Sequence, residues 1–217
     1  MTLLTMIVKM GEGLSKTCAI FSLTLLFSLP LGMVVALLRM SKNWLVSSVT
    51  RFFISILRGT PLMLQLLAVT YGPYYLWDVP VARNKLIPVV IAFAINYAAY
   101  FAEIYRAGYE SIPVGQFEAA QVLGYRKGQT FFRIILPQMV KRVLPSVTNE
   151  VITLVKDTSL ASVIGTVEMF TRAKQIAVAP NSPGMLAFAA AAVFYFVFNS
   201  LVAFAMERIE KAFAYYR

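Results

Sequence analysis

The chain predicts an all-α membrane protein with five transmembrane helices and a cytoplasmic helical segment between the third and fourth. Three observations carry this reading. The composition is 59% hydrophobic and 14% charged, with a mean hydropathy of +0.70, whereas soluble domains carry about 25% charged residues. The apolar residues gather into runs near the ~20 residues that cross a hydrocarbon core. Lysine and arginine concentrate at alternate ends of those runs, as in membrane chains whose cytoplasmic loops are basic.

The same composition excludes several classes of function. No histidine is present and Cys18 is the single cysteine, so an internal disulfide is impossible and the commonest metal ligand and general base are missing. Metal or triad chemistry is therefore not expected. The net charge of +10 is assigned to the inner surface and anionic headgroups rather than to nucleic acid. The 217 residues read as a single transmembrane domain, without internal repeats or low-complexity tracts.

The first span is expected at about residues 12–38. Cys18 to Leu38 is free of charge, and no small-residue cleavage site follows, so the run is a retained anchor rather than a signal peptide. Arg39, Lys42 and Arg51 follow it, which places that end inside and the N-terminus outside. The second span is expected at 46–77, interrupted by Arg58-Gly59-Thr60-Pro61. Such breaks are tolerated where backbone faces protein or a wet cavity. Arg58 cannot face lipid: it snorkels to the inner interface or turns into the bundle. Tyr71, Tyr74, Tyr75 and Trp77 fit an interfacial aromatic belt, and Asp78 to Lys85 makes a short outer loop.

The third span is expected at 86–108. Asn96, Tyr100 and Glu103 share one helical face there, which should point inward. Glu103 and Arg106 stand at i and i+3 and are expected to pair near the inner boundary, leaving Asn96 as the better cavity candidate. The fourth span, at 138–164, is the least hydrophobic, carrying Asn149, Glu150, Lys156, Asp157, Thr158 and Ser159. Glu150 and Asp157 are two turns apart on one face, suited to the ammonium end of a ligand, with Lys156 on a neighbouring face for a carboxylate. The alternative is that Lys156 and Asp157 pair with other helices and touch no ligand. Gly165 to Pro183 is an outer segment, with Glu168 to Ile176 as one amphipathic helix and Ala179 to Pro183 as a turn. The fifth span is expected at 184–207, and Glu207, Arg208, Glu210, Lys211 and Arg217 end the chain inside.

Residues 115–137 form the segment that the rest of the chain is organised around. Gln116 to Leu123 reads as one short docking helix. Ala119 and Ala120 present almost no side chain, so a partner surface can approach the backbone, and Gly124 supplies a left-handed residue that ends the turn. Pro137 is expected to stop the helix that follows and turn the chain back. Arg126, Lys127, Arg133, Lys141 and Arg142 put the segment on the cytoplasmic side.

The spacing Glu118-Ala119-Ala120, three residues, Gly124, nine residues, Ile134, one residue, Leu136-Pro137 resembles the EAA loop of the membrane subunits of bacterial ABC importers at every fixed position. Arg58-Gly59-Thr60-Pro61-Leu62-Met63-Leu64-Gln65, and Asn149-Glu150-Val151-Ile152 with Lys156-Asp157-Thr158-Ser159-Leu160, resemble segments of the polar amino acid permeases. The resemblance implies a type I ABC importer permease fold in the bacterial inner membrane. In it Glu118, Ala119, Ala120, Gly124, Leu136 and Pro137 couple to a cytoplasmic ATPase, and Gln65, Asn96, Glu150, Lys156 and Asp157 are candidate contacts for a polar or basic amino acid. It further implies a second permease, identical or not, and an extracytoplasmic substrate-binding protein. No resident cofactor is expected: the chain has no GxxxxGK[ST] loop, and ATP and Mg²⁺ belong to the partner ATPase. The competing reading is a proton-coupled secondary carrier with Glu103, Glu150 and Asp157 as relays. The odd number of spans and the lack of inverted repeats weigh against it.

Overall fold

The computed structural model describes residues 3–180 and 184–213. Among these residues the chain is helical throughout and contains no strand. Nine α-helices follow in order: α1 (Leu3–Arg39), α2 (Trp44–Gly59), α3 (Leu62–Trp77), α4 (Leu86–Glu110), α5 (Val114–Val122), α6 (Lys127–Thr130), α7 (Leu136–Asp157), α8 (Met169–Ala177) and α9 (Gly184–Ala212). The turn expected at Ala179–Pro183 falls partly outside the described residues, and Arg217 lies wholly outside them. Three segments, Thr5–Arg39, Leu86–Glu110 and Gly184–Ala212, are long and apolar enough to cross a membrane, and α2 with α3 adds a fourth if the bent pair counts as one span. Helix α7 is not among them, because its charged and amide residues offset its apolar ones.

Helix α4 is the centre of the bundle. Val89, Phe93, Tyr97 and Phe101 recur along it at helical spacing and are buried, within a core shared with Ile20, Leu66, Val147 and Leu154. Small residues allow the closest approaches. A Cβ on Gly108 would fall on the Val143 Cγ1 of α7, and one on Gly32 of α1 would lie 2.8 Å from the Phe101 Cβ. In a bilayer this packing replaces the hydrophobic driving force that lipid tails do not supply.

Helix α1 extends further than the first span read from the sequence. Its 37 described residues span roughly 55 Å, since no proline interrupts the helix before Cys18. Met6 and Met10 are buried against Met169, Ala173 and Ile176 of α8 and Ala187 and Ala191 of α9. The segment 165–180 is therefore packed on the bundle, between the two terminal helices. Glu168 anchors it. This fully buried carboxylate caps α8, accepting from the Phe170 amide at 2.6 Å, the Thr171 amide at 2.7 Å and hydroxyl at 2.9 Å, and the Tyr195 hydroxyl at 3.0 Å. Burial pushes its carboxyl above the usual range, against the opposing pull of those four donors.

The interruption expected in the run 46–77 is a break between α2 and α3, which are bent by 107°. Pro61 forces Thr60 out of the α region, to φ −118° and ψ 147°. One expectation, that for Pro137, is corrected. Pro137 neither stops a helix nor turns the chain back. It lies in the first turn of α7, after a π-helical turn at Phe131–Ile135, where wide-turn pairing accommodates a residue without an amide hydrogen. The helical path thus runs from Lys127 through α7 into a 3₁₀ segment at Thr158–Ile164, ended by Gly165 at φ 79°.

Replacing Gly108 by leucine is expected to overpack the α4–α7 contact and lower stability by about 2 kcal/mol or more, read as a lower Tm in detergent. Adding Val143→Ala to Gly108→Ala should restore most of the loss seen for Gly108→Ala alone. No recovery in that double variant would show that the contact is not the source of the strain.

Candidate functional site

Two features stand out at the end of the bundle where α4 gives way to α5. The first is a cavity of about 480 Å³ whose lining includes Arg58, Tyr100, Glu103, Arg106, Arg142 and Glu150. It joins residues from α2, α4 and α7. The Arg58 guanidinium lies over the Tyr100 ring, 5.1 Å from its centroid. Glu103 is held by Arg106 at 2.7 Å, the i,i+3 pair anticipated from the sequence, with Arg39 at 3.8 Å. Glu150 makes no hydrogen bond or ion pair among the described residues, yet it interacts electrostatically with Arg58 and Asp157. The cavity thus offers one carboxylate and one guanidinium that form no salt bridge within 4 Å among the described residues, a pairing that suits a zwitterion.

The other sequence-selected residues lie around it in different roles. Gln65 and Asn96 meet each other, Asn96 Nδ2 donating to Gln65 Oε1 at 2.9 Å. Together they close the α2–α3 break: Gln65 Nε2 donates to the Leu57 carbonyl at 2.9 Å and the Thr60 carbonyl at 3.2 Å, and Asn96 Nδ2 reaches the Leu57 carbonyl at 3.1 Å. Those carbonyls lost their helical donors at the break, and leaving them unpaired in an apolar bundle costs several kcal/mol. Asp157 accepts from the Tyr97 hydroxyl at 2.8 Å. Lys156 is exposed and is not among the cavity-lining residues. Of the ligand contacts read from the sequence only Glu150 lines this cavity; Arg58 and Tyr100 are among the lining residues that were not singled out for that role. The signal was available in Arg58, a charge inside an apolar run.

The second feature is α5. Ala120 is 1% exposed, whereas Glu118 and Ala119 are exposed. Adjacent residues on a helix point about 100° apart, so the two alanines serve different surfaces, one facing the bundle and one facing out. Val114, Val122 and Leu123 are exposed apolar residues on this short element. Gly124 takes φ 76° with nothing within 4 Å of an added Cβ; the backbone conformation, not lack of space, calls for glycine. Leu136 and Pro137 are half-buried at the start of α7. Helix α5 is tied to both neighbours. Phe117 meets Tyr109 of α4 edge-on at 5.7 Å, and the Gln138 side chain of α7 donates to the Gln116 side chain at 3.3 Å. Arg142 of α7 donates to the Ser111 carbonyl at the end of α4.

The sequence profile of the family described as Binding-protein-dependent transport system inner membrane component matches residues 28–215. The chain is 37% identical over 199 residues to an octopine transport system permease of Rhizobium radiobacter, covering 89% of this chain and 80% of that protein. It is 35% identical over 203 residues to the L-cystine transport system permease of Bacillus subtilis, covering 93% and 85%. Among solved structures, an amino acid ABC transporter crystallised with histidines matches with a TM-score of 0.86 at 30% identity, covering 98% of this chain and 99% of that one. An inward-facing methionine ABC transporter matches in fold, with a TM-score of 0.74 at 17% identity over 99% of this chain and all of that one. The chain belongs to the binding-protein-dependent transport system inner membrane components, the permease subunits of ABC importers.

Proposed function

We propose that this chain forms the substrate pathway of an ABC importer for a polar amino acid, in the bacterial inner membrane. Support for the substrate class comes from its relatives, which include octopine and cystine permeases, and above all from one observation: Arg58 and Glu150 line one cavity and attract each other, yet neither forms a salt bridge within 4 Å among the described residues. An amino acid presents a carboxylate and an ammonium. Arg58 meets the first and Glu150 the second, while Tyr100 orients the guanidinium. Gln65, Asn96 and Asp157 act at the edge of the pathway, and Lys156 meets ligand only in a state that differs from this one.

In this reading the chain crosses the membrane five times, counting the bent α2–α3 pair once and α7 as the polar, cavity-lining span. The N-terminus lies outside and α5 inside. Two permeases, identical or not, enclose the pathway, and a substrate-binding protein delivers ligand to the outer face. A separate ATPase binds ATP and Mg²⁺ and grips α5 through Glu118, Ala119 and the turn at Gly124, with Leu136 and Pro137 starting the helix that carries the movement onward. Because α5 is fastened to α4 and α7, its displacement shifts the two helices that carry Tyr100, Glu103 and Glu150. The cavity then opens to one side of the membrane at a time. The similarity to ABC permeases favours this over a proton-driven carrier.

Two measurements test the proposal. Glu150→Gln removes a charge-assisted contact and is expected to lower uptake into proteoliposomes by about tenfold or to change ligand preference; unchanged kinetics across a panel of amino acids would remove Glu150 from the ligand contacts. Gly124→Val forces a β-branched residue into a left-handed conformation at a cost of ~1–2 kcal/mol. Ligand-stimulated ATP hydrolysis by the assembled transporter should fall roughly fivefold, with membrane insertion intact. Full stimulation in that variant would contradict the docking role of the α5 turn.

A further inference from the structure

Helix α2 presents three faces. Leu45, Val49, Phe52, Phe53 and Ile56 form an exposed apolar stripe. Thr50, Ile54 and Leu57 are buried, the latter two packed with Val35 and Ala36 of α1 and Ala99 and Ala102 of α4. At 100° per residue, Arg51, Ser55 and Arg58 fall on the third face. An exposed apolar stripe beside a basic one is the pattern of a helix lying in the plane of a membrane surface, not of one crossing it. The 107° bend from α3 lets α2 lie that way while α3 runs through the bundle. Trp44, 79% exposed at the start of α2, occupies the position of an interfacial aromatic.

The basic face borders a recess of about 380 Å³ lined by Arg39, Arg51, Arg58, Ser55, Ile54 and Glu103 among its residues. Three guanidinium groups thus surround one carboxylate. That carboxylate is already held by Arg106 at 2.7 Å, so the recess retains an excess of positive charge. The Arg39 Nε is buried there 3.8 Å from Glu103 Oε1, an ion pair too long for a hydrogen bond, and has no hydrogen-bond acceptor among the described residues. Guanidinium forks match the paired oxygens of a phosphate, and the apolar stripe alongside fits hydrocarbon rather than water.

We propose that this recess binds the phosphodiester of an anionic phospholipid, whose acyl chains lie along the apolar stripe of α2. The adjacent stripe selects a lipid over a free phosphate. The recess shares Arg58 and Glu103 with the larger cavity, whereas Arg39, Arg51 and Ser55 line the recess and not that cavity. Occupation would hold α2 in the membrane plane and steady the joint that presents Arg58 to that cavity.

Native mass spectrometry of the full chain, delipidated and then exposed to phosphatidylglycerol, phosphatidylcholine or inorganic phosphate, tests the site. Phosphatidylglycerol should be retained in preference to phosphatidylcholine, and inorganic phosphate should not displace it. Arg51 is exposed, so Arg51→Gln should fold normally; it should reduce retention about fivefold, the worth of one basic residue at a charged surface, while Arg51→Lys keeps most of it. In a Trp77→Phe background, brominated phosphatidylglycerol should quench Trp44 more than brominated phosphatidylcholine does. Equal retention of the two lipids, no effect of Arg51→Gln, or displacement by phosphate alone would overturn the proposal. So would self-crosslinking of Phe52→Cys, which would show a second copy of the chain covering the stripe.

Discussion

The contact on which the rest of the molecule depends is the seating of α4 against α7 at Gly108. A single methyl group there would collide with the Val143 side chain, so α7 packs its side chains directly onto the α4 backbone. Just beyond this point Arg142 bonds back to the end of α4 at Ser111, and α5 is suspended between the two helices. The same two helices carry Tyr100, Glu103 and Glu150 into the cavity. One tight joint therefore connects an element that projects from the bundle with the residues best suited to hold a ligand. Interiors packed this closely respond to displacement by moving as units rather than by yielding locally.

A second constraint explains where polar residues sit. Within an apolar bundle every polar group needs a partner, and most of those here have one. The carbonyls freed at the α2–α3 break are taken by Gln65 and Asn96, Asp157 by Tyr97, Glu103 by Arg106, and Glu168 by two amides and two hydroxyls. Against that background Arg58 and Glu150 are conspicuous: they face one cavity and attract each other, but among the described residues neither forms a salt bridge within 4 Å.

Much of this was legible in one dimension, and the parts that were not share a cause. The period of apolar residues located α4 and α9, the residue types of the 115–124 segment announced α5 and the left-handed Gly124, and the amphipathic pattern after Glu168 announced α8. Each is a local property. The break at Arg58-Gly59-Thr60-Pro61 was legible from its glycine and proline, but its 107° angle was not, because hydropathy reports that a run is apolar and not which way it points. Pro137 was misread because a π-helical turn before it removed the conflict that proline normally creates. Ala119 and Ala120 were read as one surface, whereas helical geometry turns one of them inward. Gln65 and Asn96 were read as ligand contacts because an amide in a span signals a partner without identifying it; in this structure their amides bond each other and the broken backbone.

On the proposed function, α5 is the handle by which an external ATPase moves this permease, with the exposed Ala119 available to the motor and the buried Ala120 facing the bundle. The most direct test is site-directed crosslinking in the assembled transporter, with single cysteines placed at 119, 120 and, as an outer-loop control, 79 in a Cys18→Ser background. The account predicts a strong crosslink to the ATPase from Ala119→Cys, little or none from Ala120→Cys, and none from Val79→Cys. Absence of a crosslink from position 119, or one of equal strength from position 79, would contradict it.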